Sequence, residues 1–294
     1  MPDAETRVFR PKSLGGLLRL YARNTDALLY AGGTDIISRR RRESPGVCAL
    51  PPKVIYLGTV QELDRISRGP RHLDIGSGLS LSRVLSVGRN VLPRLLYEAI
   101  LGIGTPPVRN LATLGGNVCA PSRQGDSLPA LAVLEAQLEL RGPGSGRWVS
   151  VERFLGSASQ TALRPGEVLT RIRIPLEEWD FQLFRKIGQR QCRGGSLLSY
   201  AAAARFPKGV MELFRFCYGG CGAPVLRFPE LEARLRHVHL PISPRLTESL
   251  SAELAELLGS RGDQAQEWSY RRATAVRLFR HTLERLNAGG MEVL

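Results

Sequence analysis

Cysteine is scarce in this chain. Five residues, Cys48, Cys119, Cys192, Cys217 and Cys221, are scattered through 294 positions. An odd, dispersed set excludes a disulfide framework as the organising constraint. Cys217 and Cys221 are close, in Cys-Tyr-Gly-Gly-Cys, but offer two ligands where a zinc or iron–sulfur site needs four, so they read as buried or loop thiols. No window approaches the roughly 18 uninterrupted apolar residues of a membrane span. The first 15 residues carry Asp3, Glu5, Arg7, Arg10 and Lys12 and hold no apolar signal core, so no membrane span and a cytoplasmic location are expected. Aromatics make up 6% of the residues and do not interleave with basic ones in a patch, which disfavours a nucleic-acid partner. Four dispersed histidines (His72, His237, His239, His281) suggest surface or structural roles.

What is abundant is arginine. The formal net charge is +14, and only Lys12, Lys53, Lys186 and Lys208 of the basic residues are lysine. Such a charge permits acidic partners, nucleic acid or anionic ligands without choosing among them. The densest run, Arg39 to Arg42, follows an apolar-containing segment read as helical. Successive helical residues step about 100° around the axis, so four in a row cannot share one face, and a solvated helix end is the simplest reading. With 43% hydrophobic and 23% charged residues, the chain suits a globular protein of about two domains.

Patterning predicts a mixed α+β organisation. Helical spacing appears at Ser13 to Arg23, Ser82 to Ser86, Val91 to Ile100, Leu128 to Ala136, Pro229 to Arg236 and Ser269 to Leu286. Strands are expected at Ala27 to Tyr30, Val54 to Leu57, Leu73 to Ile75, Val108 to Thr113, Gln137 to Arg141, Trp148 to Val151, Val168 to Ile174 and Glu212 to Tyr218. Pro175 and the acidic, turn-like Glu177 to Asp180 mark a boundary, giving domains 1–176 and 177–294.

Two strand-to-glycine transitions carry the chemical signal. Leu29-Tyr30 runs into Ala31-Gly32-Gly33-Thr34-Asp35-Ile36, and Val108-Arg109-Asn110-Leu111-Ala112-Thr113 runs into Leu114-Gly115-Gly116-Asn117-Val118. A glycine pair lets backbone approach a ligand closely, and free N–H groups at a helix start favour an anion, so a phosphate or pyrophosphate site is expected. Thr34 and Thr113 add hydroxyl donors, while Asn117 and Asp126 suit sugar hydroxyls. Neither transition is a Gly-x-Gly-x-x-Gly fingerprint, and no Gly-x-x-x-x-Gly-Lys-Ser/Thr loop occurs, which disfavours the ordinary dinucleotide and nucleoside triphosphate folds.

Together, in order and about 80 residues apart, these two motifs resemble those of the FAD-binding subunits of the xanthine dehydrogenase, carbon monoxide dehydrogenase and nicotinate dehydrogenase group. Asp126 matches the aspartate after the second motif. Further similarity lies in Glu167 to Pro175, in Phe184-Arg185-Lys186-Ile187-Gly188-Gln189-Arg190 and in Ser269-Tyr270-Arg271-Arg272. Here Gln191 to Ser196 replaces the family's acidic segment after Arg190. The resemblance implies a vanillyl-alcohol-oxidase-like (PCMH-type) FAD-binding fold of two subdomains, split near residue 60, and a C-terminal domain of the carbon monoxide dehydrogenase flavoprotein type. It places Leu29 to Ile36 and Thr113, Gly115, Gly116 and Asn117 along the cofactor, Asp126 on sugar hydroxyls, Leu169 beside the ring system and Lys186 at the periphery. It implies a molybdopterin-containing large subunit, a [2Fe–2S] small subunit, and NAD⁺ or another acceptor as partners. A self-contained flavin oxidase and a basic anion- or nucleic-acid-binding protein are the alternatives.

Overall fold

The computed structural model describes residues 6–43, 50–120, 125–156, 161–188, 196–259 and 266–289. Cys48, Cys192, the stretch Gln191 to Gly195 and the side chains of Arg41 and Arg42 lie outside the described residues. In chain order the first elements are β1 (Arg7–Phe9), α1 (Leu14–Ala22), β2 (Leu28–Tyr30), α2 (Thr34–Glu43), β3 (Lys53–Tyr56), β4 (Ile66–Arg68) and β5 (His72–Gly76). Next come α3 (Leu81–Ser86), α4 (Arg94–Leu101), α5 (Pro106–Leu111), α6 (Leu114–Cys119), α7 (Ser127–Val133), β6 (Gln137–Gly142), β7 (Ser145–Ser150), α8 (Val151–Leu155) and β8 (Val168–Pro175). The remainder is β9 (Phe181–Gly188), β10 (Ser196–Arg205), β11 (Leu213–Gly219), β12 (Leu226–Arg227), α9 (Pro229–Ala233), α10 (Pro244–Gly259) and α11 (Gln266–Asn287). The chain divides into two compact units, 1–92 with 103–121 and 135–176, and 177–294 with 93–102 and 122–134.

The first unit holds two sheets. A small parallel sheet has the order β1-β3-β2, with β3 pairing to both neighbours. Ser13 caps α1 by accepting from the Gly16 amide at 3.2 Å, and Glu62 Oε1 accepts from the Leu14 amide at 3.0 Å. These side chains occupy two donors that a helix start otherwise leaves orphaned. Leu17 and Leu18 on the capped helix then bury against Ile55, Val60 and Leu63. The second sheet is antiparallel, ordered β4-β5-β8-β6-β7. Strand β6 alternates strictly, with Leu138 and Leu140 fully buried and Gln137, Glu139 and Arg141 on the other face, as a half-solvated strand requires.

Charge satisfaction on this sheet has a pH signature. Asp74 accepts from Arg173 Nε at 2.8 Å and Nη2 at 2.9 Å, and from Arg171 Nη1 at 3.2 Å. Arg147 grips Glu167 in the same two-pronged way at 2.9 and 2.8 Å. The Arg173 hydrogen bonds hold the Asp74 carboxyl below its usual range, and the Arg147 hydrogen bonds do the same for Glu167. A carboxyl whose folded pKa is depressed contributes stability that is present above its unfolded pKa of about 4 and lost as pH falls through the folded value. Thermal unfolding followed between about pH 5 and pH 2 is therefore expected to show a falling Tm, and Asp74→Asn to flatten the decline. A Tm indifferent to pH in that window would contradict the assignment.

The second unit is a four-stranded antiparallel sheet, β12-β11-β10-β9, covered by helices. Tyr200, Phe214, Phe216 and Tyr218 pack with Phe228 and with Phe279 of α11, the Phe216 and Phe279 rings 4.8 Å apart. Tyr218 donates to the Ala275 carbonyl at 2.9 Å, which satisfies a hydroxyl that would otherwise be costly in this core. Small residues let α7 approach the sheet's other side, since a Cβ at Gly219 would lie 2.9 Å from Pro129 Cγ. Cys217 and Cys221 are buried and free of disulfide, and burial pushes the Cys221 thiol up to about 12. The thiolate is the reactive form, so Cys221 is expected to resist alkylation at about pH 8 until the chain unfolds, and Cys217, with no exposed surface, to be shielded over the same range. Labelling of either at the rate of a free thiol in native buffer would refute this.

The elements that differ from the patterning include α5 and α10. Val108 to Thr113 reads as a strand but belongs largely to a helix, α5, with Thr105 at its N-cap and proline in its first turn. Proline's fixed φ suits a first helical turn, where its missing N–H is no loss. Helix α10 escapes periodicity because Leu250, Leu254 and Leu258 sit among polar residues, although Thr247 and Ser251 complete the buried stripe. The usable signal was Ser243 before Pro244: Ser243 Oγ accepts from the Leu246 amide at 3.3 Å.

Candidate functional site

In the first unit the glycine motif after β2 forms a tight connection into α2. Gly33 has φ +69°, a left-handed conformation that strains any side-chain-bearing residue. The Tyr30 hydroxyl lies over this turn, 1.9 Å from where a Gly33 Cβ would be. Gly32 is constrained from outside the loop, since its Cβ would fall 1.9 Å from the Leu111 carbonyl oxygen and 2.9 Å from Ala112 Cα. The two motifs, far apart in sequence, therefore touch, with Gly32 seated on the peptide that leads into Thr113.

The structure separates the motifs chemically. In α2 the Ile37 amide bonds back to Gly33 O at 2.9 Å. The N–H groups before it have no intrahelical acceptor and carry the positive end of the helix dipole. Asp35 in that first turn would oppose an anion, but its carboxylate is paired with Arg39 at 2.7 Å, which offsets the repulsion. In α6 the corresponding donors are already used. The Leu114 amide bonds Leu79 O at 3.1 Å, the Gly115 amide Ser77 O at 3.0 Å, and the Gly116 amide Thr113 Oγ1 at 3.0 Å. Among the described residues, the free donors expected at both helix starts are thus available at the first alone. Thr113, having accepted from Gly116, keeps its own hydroxyl proton to donate.

The segment Ser77 to Leu79 is a part of this site that sequence reasoning missed. It backs the second motif so closely that a Cβ on Gly115 would sit 2.5 Å from Ser77. Nothing local in the sequence signals such a long-range support. Residues Leu29 to Ile36 are all half-buried, and no described side chain of α2 is fully buried, so a partly open surface is left for a ligand. Leu169 is 4% exposed on β8 and pairs with Leu140. Asp126 and Lys186 belong to the second unit, where the carboxylate meets the ammonium at 2.6 Å and Lys186 Nζ also donates to Gly102 O at 2.9 Å.

The part of the chain that carries both glycine motifs has a counterpart among known proteins. Residues 4–177, more than half the chain, match the family described as the FAD binding domain in molybdopterin dehydrogenase. The chain belongs to this family. Its cofactor is FAD. The chain is 31% identical over 243 residues to aldehyde oxidase 2 of Cavia porcellus, a match covering 78% of this chain and 18% of that protein. It therefore spans under a fifth of the aldehyde oxidase's length. It is 24% identical over 274 residues to a xanthine dehydrogenase FAD-binding subunit of Escherichia coli, covering 92% of this chain and 89% of that subunit. The fold matches a chain of reconstituted CO dehydrogenase from Oligotropha carboxidovorans with a TM-score of 0.86 at 22% identity, over 98% of this chain and 99% of that one. The mixed α+β architecture is thereby shown. The residues of this FAD-binding domain fit the cofactor, since the first motif presents donors for a pyrophosphate and the second a hydroxyl for its polar chain. Among the described residues no helix is long and apolar enough to cross a membrane, and no cluster of metal-ligating side chains occurs.

Proposed function

We propose that this chain is the flavin-carrying subunit of a molybdenum hydroxylase, accepting electrons from the [2Fe–2S] clusters of a small subunit that a molybdopterin-containing large subunit reduces. NAD⁺ or another carrier is the acceptor, and the assembly works in the cytoplasm. The observation that carries the reading is the contact of Gly32 with the Leu111–Ala112 peptide, which joins both motifs in one FAD-binding domain. Bound FAD supplies the redox chemistry, and the protein holds and tunes it.

In this proposal Leu29 to Ile36 follow the pyrophosphate, with the α2 N–H groups and the Thr34 hydroxyl as donors. Thr113, Gly115, Gly116 and Asn117 follow the ribityl chain. Asp126, oriented by Lys186, serves sugar hydroxyls, and Leu169 supports the ring system. Domains 1–176 and 177–294 remain the proposed FAD-binding and C-terminal parts. The test is electron delivery. The FAD-loaded chain, mixed anaerobically with its reduced [2Fe–2S] partner, is expected to bleach its flavin band, whereas alcohols and amines leave it unchanged. Bleaching by an alcohol or amine with no partner present would favour a self-contained oxidase.

A further inference from the structure

The face of the five-stranded sheet opposite Leu138 and Leu140 carries a groove that the flavin motifs do not use. It has a volume of about 850 Å³ and lies between α1 and the β6–β7 hairpin. Its shape follows from the strand register. Arg141 stands opposite Gly146, which has no side chain, so a notch opens beside Trp148, the residue facing Glu139. Arg19 lines the α1 side. Trp148 is 39% exposed although Arg173 sits 4.4 Å over its ring.

Charge in the groove is unevenly satisfied. Glu139 Oε2 accepts from Thr170 Oγ1 at 2.7 Å and lies 3.5 Å from Arg171 Nε. Arg147 is held by Glu167. Arg19 and Arg141 have no ion-pair or hydrogen-bond partner among the described residues. Two uncommitted guanidinium groups beside an accessible indole, in a cavity of ligand size, make a recognition surface for a flat molecule with a negative charge.

We propose that this groove is a second binding site, distinct from the flavin motifs, for a planar ring bearing an anionic group. Trp148 stacks the ring, and Arg141 and Arg19 hold the carboxylate or phosphate. Two sources share that chemistry, a nucleoside monophosphate and an aromatic carboxylate. The experiment uses the full chain saturated with FAD, so that the cofactor's own nucleotide half cannot be mistaken for the site, and follows tryptophan emission during titration with AMP, benzoate or inorganic phosphate.

AMP or benzoate is expected to change the emission saturably, and whichever binds more tightly identifies the source. Trp148→Phe should abolish the change, and Arg141→Gln or the exposed Arg19→Ala should weaken binding about tenfold with flavin content unchanged. No saturable change with either ring compound would overturn the proposal. So would a response that survives Trp148→Phe and Arg141→Gln, and so would displacement by inorganic phosphate at the concentration at which AMP binds.

Discussion

Gly32→Ala is expected to purify with less than about a tenth of the FAD bound by the parent chain. The added methyl group would sit 1.9 Å from the Leu111 carbonyl oxygen and 2.9 Å from Ala112 Cα, both backbone atoms that no rotamer change can move aside. Overpacking of this kind costs about 1–3 kcal/mol or more when only side chains must yield, and about 1.4 kcal/mol already weakens binding tenfold. Relief requires the first motif to lift off the second, which misdirects the α2 N–H groups and displaces Thr113 together. A control separates crowding from backbone strain. Gly144→Ala forces a side chain into positive φ, at +71°, a strain that Gly32→Ala does not carry, but has nothing within 4 Å of its new methyl group, so it should retain FAD. Flavin-to-protein absorbance ratios of the three purified chains decide the matter, and equal ratios would sink it.

Lys186→Met is expected to destabilise the second unit by about 3–5 kcal/mol, because it leaves the Asp126 carboxylate buried with its 2.6 Å counter-ion removed. The Asp126 side chain is only 6% exposed, so water cannot replace the ammonium cheaply. The same substitution frees the Gly102 carbonyl at the end of α4 from its Lys186 hydrogen bond. Combining Lys186→Met with Asp126→Asn removes the buried charge along with its partner and should recover most of the loss. Urea unfolding monitored by the near-ultraviolet signal of the Tyr200 and Tyr218 cluster reports this unit. If the double substitution is no more stable than Lys186→Met alone, the ion pair is not what holds this region.

How much of this was readable beforehand depends on how local each signal is. The first motif was legible in full: apolar Leu28 to Tyr30 form a strand, and the helix begins at Thr34, where the glycines end. For the second motif the residues were legible but their conformation was not, since Val108 to Leu111 suit a strand until the prolines at 106 and 107 are read as a helix start. Consumption of the Leu114 and Gly115 donors by Leu79 and Ser77 had no trace in sequence, because it depends on β5 and α6 converging across nearly 40 residues. The Asp126–Lys186 pair was named residue by residue from the family resemblance, yet only coordinates show the two in contact. Alternation in β6 announced a face carrying Glu139 and Arg141, while the notch beside Trp148 follows from which residue stands opposite Arg141.

A titration of the purified chain with FAD tests most directly whether the two touching glycine motifs make one FAD site. Flavin fluorescence quenching together with the visible spectrum should show saturation at about one FAD per chain, abolished by Gly32→Ala and retained by Gly144→Ala. A chain that stays colourless after FAD addition, or that binds equally well with Gly32 replaced, would contradict it.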